Sequence, residues 1–317
     1  MSRRAWAAFS VMSVVWGGSY LLIKIAIDGG MPSLDLAWLR IALAAAILMA
    51  IAWRPGALAS LRGRWRWIAA YAVIEMSIPF PLIAAGEVHV ASSLAAIIIA
   101  SVPLLVTVIS LRVDPSERPT RLRAAGLGIG FVGVVALVGI DVAGSFDELL
   151  GALAVFGAAI GYAVGPILVK LGMDGIDARV AMGASLVLAT VLLAPLAIVD
   201  EPATAPTAGA WAAVAALGVV CTALAFVVYT LLVREAGTGR ATIITYINPL
   251  VAVVLGVTLL GERPGATALG GLALILAGSW LATGGRGRWS GWGPSRRVLG
   301  PTEAASVRRS PTDRLLD

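Results

Sequence analysis

Long apolar stretches alternate with short polar punctuation along the chain as far as about residue 284. Stretches of roughly 17–25 such residues are long enough to cross a bilayer as helices. Ten are read, at approximately 5–27, 33–53, 67–86, 90–111, 124–140, 149–169, 180–199, 208–233, 241–261 and 266–284. The pattern therefore predicts an all-α integral membrane protein with ten transmembrane helices. The first stretch follows Arg3 and Arg4, but it is longer than the apolar region of a signal peptide and no A-x-A site closes it, so it is read as a retained helix. Residues 286–317 differ in character: Gly, Ser, Pro and seven Arg with little apolar periodicity predict a disordered, Arg-rich tail.

Composition agrees. Of the 317 residues, 59% are hydrophobic and 13% charged, about half the ~25% charge of a soluble domain. Too few charges exist to clothe a water-soluble globular enzyme. The net charge of +6 acquires its meaning from placement. With the N-terminus in the cytoplasm, 21 of the 24 Lys and Arg fall in inner segments and one, Arg263, in an outer loop; Lys24 and Arg40 lie inside spans. That is a strong positive-inside signal, so the basic balance reflects membrane orientation and not a nucleic-acid footprint. Both termini are expected in the cytoplasm. Trp6, Trp53, Trp65, Trp67 and Trp280 fall near the inner interface, Trp38 and Trp211 near the outer one, and Trp16 is an exception at mid-span.

Candidate enzyme chemistry is sparse. Cys221 is the one cysteine and His89 the one histidine, which excludes an intrachain disulfide, a multi-cysteine metal site and an H-E-x-x-H zinc site. No metal or cofactor is expected. No G-x-x-x-x-G-K-[ST] sequence is present, so energy input is expected from gradients or a partner chain. Gly128-x-Gly130-x-x-Gly133 matches the dinucleotide fingerprint in letters, but it follows an Arg-rich loop and lies inside the fifth span. Close helix packing is the expected use of these glycines, and of Gly157, Gly161 and Gly165 in the sixth span.

The chain also repeats itself. At an offset of 146, Lys24-Ile25 falls on Lys170-Leu171, Asp28-Gly29 on Asp174-Gly175 and Pro103-Leu104 on Pro249-Leu250. At 145, Glu117-Arg118-Pro119 falls on Glu262-Arg263-Pro264, Gly126 on Gly271 and Gly133 on Gly278. Each half holds five spans, and an odd number inverts the second half in the membrane. Two inverted five-helix repeats are expected, at 1–141 and 146–285, followed by the tail at 286–317. Carriers use this architecture, with the substrate near the midplane between the repeats.

Trp16-Gly17-Gly18-Ser19 running to Ile23-Lys24, Arg40 in the second span, the small-residue helix from Ala91 to Pro103, and the run Gly239–Pro264 with Asn248-Pro249 and Leu260-Gly261-Glu262-Arg263 carry a resemblance. Over roughly residues 5–284 the chain resembles EamA-type members of the drug/metabolite transporter superfamily. One departure is Asp114-Pro115-Ser116-Glu117, where the family usually has Leu-Gly-Glu, so an irregular end to the fourth span is expected. The resemblance implies a ten-helix inner-membrane carrier, commonly an exporter of small metabolites, amino acids or drug-like solutes, and not an enzyme. Its partners are then a small solute and the bilayer.

Intramembrane charge is costly and marks a pathway or a fixed pair. Arg40 lies inside the second span, and Glu75, near the middle of the third, is read as the only acid in any span core. Glu75 either pairs with Arg40 or Lys24 to hold helices together, or serves substrate or proton. Lys24, near the outer end of the first span, either snorkels or joins such a pair. His89 and its neighbour Glu87 are read as outer-mouth residues. Tyrosine hydroxyls and indoles at depth need partners in the bundle, as packing or as grip on a solute; Trp16 falls opposite Tyr162 at the 146 offset. The candidate substrate-binding residues are Trp16, Tyr20, Arg40, Glu75, Tyr162 and Tyr246, with Asn248 from the run that carries the resemblance. Pro103 and Pro249, matched across the repeat, are candidate hinges. Two rival readings are an intramembrane lipid-handling enzyme or flippase using Glu75 and Arg40, and an open channel.

Overall fold

The computed structural model describes residues 1–52, 54, 56–113, 120–137, 145–173, 175–197, 205–241 and 243–283. The expected tail at 286–317 and the irregularity at 114–117 lie outside the described residues. No strand occurs among the described residues.

Among the described residues, seven helices are long and apolar enough to cross a membrane: α1 (Arg3–Asp28), α2 (Ser33–Ala52), α3 (Trp65–His89), α4 (Ser92–Arg112), α6 (Phe146–Gly172), α7 (Ala178–Ala197) and α8 (Ala208–Ala236). Between α4 and α6 runs α5 (Arg121–Ala136). Two shorter apolar helices follow α8, namely α9 (Ile244–Leu259) and α10 (Ala266–Ala282). Polar caps set several starts. The Oγ of Ser2, Ser145 and Thr207 accepts the N–H of Ala5, Glu148 and Ala210, satisfying donors that helix geometry leaves free. At α6 the cap is followed by Asp147 and Glu148, acids placed where the helix dipole is positive.

The polarity of the bundle is that of a membrane protein. Val132, Val135, Val191, Val254 and Leu259 are exposed, whereas Arg40, Glu87, Ser92, Ser185 and Thr222 are buried. Trp6, Trp65, Trp211 and Trp280 are exposed near helix ends, as an interfacial belt requires.

Glycines set the closest approaches. Gly126 of α5 lies against Gly278 of α10, and Gly133 against Gly271; a Cβ at any of the four would meet neighbouring backbone. Gly126 and Gly271 are repeat equivalents, as are Gly133 and Gly278, so the contacts are reciprocal. Of the three glycines that match the dinucleotide fingerprint, Gly130 packs on Leu104 and Gly133 on Gly271, whereas Gly128 faces open space, against the packing expected of it. In α6, Gly157, Gly161 and Gly165 receive Leu82, Ile74 with Pro79, and Glu75 of α3. The reciprocity extends to helix pairs: α1 packs on α8 and α9, α6 packs on α3 and α4, and α2 meets its counterpart α7.

Two helices carry a π-helical turn, Ala72–Ser77 in α3 and Val219–Leu224 in α8. In α3 the cause is readable: Pro79 has no N–H, and the Ile78 N–H reaches Val73, five residues back. Hydroxyls help both turns, with Ser77 Oγ donating to the Ala72 carbonyl (2.9 Å) and Thr222 Oγ1 to that of Leu217 (2.8 Å). In α4 regular helix stops at Ile99 and resumes at Val102, with Ser101 N–H and Oγ both donating to the Ile98 carbonyl, so Pro103 sits beside a true break. Pro249, by contrast, lies within the continuous helix α9.

Candidate substrate site

Arg40 enters the bundle from α2 and is only 8% exposed. Its Nε donates to Thr222 Oγ1 at 2.9 Å, and its guanidinium lies 4.5 Å from the centroid of the Phe80 ring. The π-helical turn of α8 thus supplies the oxygen, and α3, just past its own π-helical turn, supplies the aromatic face. One donor edge of the planar guanidinium is held while its remaining donors form a fork suited to a carboxylate. Phe80 meets Tyr162 of α6 edge-on, with centroids 6.4 Å apart.

Glu75 occupies the π-helical turn of α3, its carboxylate against Gly165, where any side chain would displace it. Its Oε2 is buried and accepts no hydrogen bond among the described residues. Arg40 and Glu75 form no ion pair among the described residues, and neither do Lys24 and Glu75. The expectation of a fixed Glu75 pair is therefore corrected: Lys24 instead pairs with Asp28 at 3.0 Å and donates to the Glu87 carbonyl at 3.2 Å. Along α3, Glu75 precedes Phe80 by five residues, roughly 7 Å of axial rise. Tyr162 lies within electrostatic reach of both Arg40 and Glu75, and Tyr71 and Tyr229 within reach of Glu75.

The other candidates divide. Tyr20 is buried and faces Arg40 and Glu87 electrostatically. Trp16, the mid-span exception, stacks at a tilt on Tyr229, centroids 5.2 Å apart. Trp16 and Tyr162 are repeat equivalents, and each meets an aromatic ring on the helix it packs against, Tyr229 of α8 and Phe80 of α3. The Tyr246 hydroxyl is engaged with Thr283 Oγ1 at 3.2 Å, tying α9 to the end of α10 and not to Arg40 or Glu75. Asn248 presents its carbonyl to Gly17 of α1, and its Oδ1 is buried without a partner.

Glu87 requires a second correction. It is no loop residue: it stands fully buried in the last turn of α3, where its neighbour His89 is exposed. Glu75 is thus not the only acid in the bundle. Glu262 was noticed only as part of a motif, and its role is structural. Its carboxylate accepts from Ser92 N–H and Oγ at 2.8 Å each and from Ser93 N–H at 3.0 Å, capping α4 from the loop after α9. Partial burial opposes ionisation of Glu262, but these hydrogen bonds outweigh it and hold the carboxyl below its ordinary value. Sequence reasoning missed Thr222; the signal for it was a lone hydroxyl in an apolar run opposite a buried arginine.

An apolar-skinned helical bundle with reciprocal halves, and with an arginine and a glutamate inside that form no ion pair among the described residues, has the organisation of a membrane transporter. The EamA-like transporter family model matches residues 4–139 and 149–284, and the chain belongs to that family. It is 33% identical over 322 residues to a "Probable terminal-alkyne amino-acid exporter" of Streptantibioticus cattleyicolor, covering 97% of this chain and 98% of the relative. It is 28% identical to the "Uncharacterized inner membrane transporter YedA" of Escherichia coli over 81% of this chain and 83% of that one. A solved crystal structure shares the fold with a TM-score of 0.63 at 23% identity, covering 89% of this chain and 98% of the other.

Proposed function

We propose that the protein is a secondary carrier that exports small amino-acid-like or drug-like solutes across the inner membrane by alternating access. Ten spanning helices form two inverted five-helix repeats, with both termini and the Arg-rich tail in the cytoplasm. The reciprocal glycine contacts of α5 with α10, and the paired packing of α1–α9 with α6–α4, support the inverted arrangement. The break beside Pro103 supports a hinge there; Pro249 is the matching candidate.

The observation that carries the reading is that Arg40 and Glu75 are both inside the bundle, both within electrostatic reach of Tyr162, and form no ion pair with each other among the described residues. An arginine and a carboxyl left apart at this depth suit a solute that carries both charges, its ammonium meeting Glu75 as the carboxylate. Arg40 takes the carboxylate, backed by Thr222 and Phe80. Glu75 takes the ammonium, with Tyr71, Tyr162 and Tyr229 around it. Trp16, Tyr20 and Asn248 complete the proposed substrate-binding set from α1 and α9, while Tyr246, held by Thr283 at the end of α10, drops out of it. The exporter relative named for an amino acid agrees with this class of substrate.

Counterflow in liposomes tests it. Purified protein loaded with an unlabelled small apolar amino acid is expected to accumulate labelled amino acid transiently and saturably. Linear, non-saturating flux without counterflow would favour a channel, and covalent change of the solute would favour an enzyme.

A further inference from the structure

At the end of the bundle where α3 meets α4, Glu87 is fully buried and both of its carboxylate oxygens are without a hydrogen bond among the described residues. A bare carboxylate in such a place is costly, and the group escapes that cost by holding a proton. A cation is at hand but committed elsewhere. Lys24 Nζ donates to the backbone carbonyl of Glu87 at 3.2 Å while pairing with Asp28 at 3.0 Å. Asp28 is half exposed, so that pair stands at the edge of water.

The charged and titratable groups facing Glu87 are Lys24, Asp28 and Tyr20 from α1, Arg40 from α2, and Glu262 from the loop after α9. Glu262 is occupied by Ser92 and Ser93, and Arg40 by Thr222. From α6, backbone and apolar groups of Gly151 and Val155 close the wall against Gly86. On α3 itself, His89 is exposed. Lys24 is therefore the one neighbour whose ammonium already touches Glu87 and has a second, water-facing partner to leave.

We propose that Glu87 is a proton-binding site, with Lys24 as the ammonium that replaces the proton. With the proton on Glu87, the carboxyl is neutral, stays buried, and leaves Lys24 on Asp28, which is the arrangement in this structure. When Glu87 gives its proton to water at that end, Lys24 shifts from Asp28 to the new carboxylate. The exchange changes how α1 is tied to α3 at this end of the bundle.

Infrared titration of the full-length protein in lipid nanodiscs tests this without any transported solute. The carbonyl stretch of a protonated carboxylic acid is expected in the native protein at neutral pH. It is expected to lose a component in Glu87→Gln that Glu75→Gln retains. In Lys24→Met, loss of the ammonium is expected to raise the proton affinity of that component about tenfold, one pH unit. If Glu87→Gln fails to fold, the Lys24→Met shift decides alone. Equal carbonyl bands in the native protein and Glu87→Gln, or an unmoved titration in Lys24→Met, would overturn the proposal while leaving the solute site untouched.

Discussion

Arg40 stands where the second half of the chain has Leu186, and Glu75 where it has Cys221. Around these positions the halves are alike: both third helices carry a π-helical turn, and the close-packed glycines of α5 and α10 exchange places in reciprocal contacts. The scaffold is thus doubled, whereas the charge is confined to one half. The second half answers with hydrogen bonding, since Thr222 holds Arg40 and Gly165 makes room for Glu75. A site built this way has two different ends, which suits a solute with two different ends. The fourth helices differ too: α4 is broken beside Pro103, while α9 runs through Pro249.

The largest effect is expected from exchanging the unlike pair. Arg40→Met removes the guanidinium and is expected to lower counterflow about 100-fold, on the scale of ~3 kcal/mol for a buried charge contact. Leu186→Met at the equivalent place conserves volume and is expected to cost less than about 1.5 kcal/mol of stability with transport retained. Next come the like pairs. Gly278→Ala would drive a Cβ into the backbone of Gly130 and is expected to destabilise the bundle by about 1–3 kcal/mol, read as thermal unfolding in detergent. Gly128→Ala meets open space and is expected to leave the melting temperature unchanged.

The prolines give a smaller contrast. Pro103→Ala restores a backbone donor at the break and is expected to slow counterflow about 3- to 10-fold, the worth of one net hydrogen bond. Pro249→Ala, within a continuous helix, is expected to change it less. Equal slowing by both would make the hinges symmetric. The smallest effect concerns Glu262. Its carboxyl is held below the ordinary value, so its stabilising cap is fully present above about pH 4.3 and is lost as pH falls through the folded value. Glu262→Gln is expected to cost about 1 kcal/mol at neutral pH and to flatten this acid limb of the stability curve.

Helix positions and packing glycines were legible because both follow from local spacing: apolar length gives a span, and small residues four apart give a close contact. Arg40 and Glu75 were legible as candidates because charge inside a span has few cheap explanations. What each touches was not legible. The partner of Arg40 is a threonine 182 positions away, brought there by a π-helical turn that no proline in α8 announces. Glu87 was misplaced because a helix end is uncertain by a turn, and one turn separates an outer loop from a fully buried position.

The central claim, that Arg40 reads a carboxylate and Glu75 an ammonium, is tested most directly by solute competition in counterflow. Labelled amino acid is competed with its decarboxylated amine and with its des-amino acid, in the native protein and in Arg40→Met and Glu75→Gln. The account predicts that the native protein prefers the zwitterion over both, that Arg40→Met loses the preference over the amine, and that Glu75→Gln loses the preference over the acid. Native preferences surviving in either variant, or identical loss against both competitors in both, would contradict it.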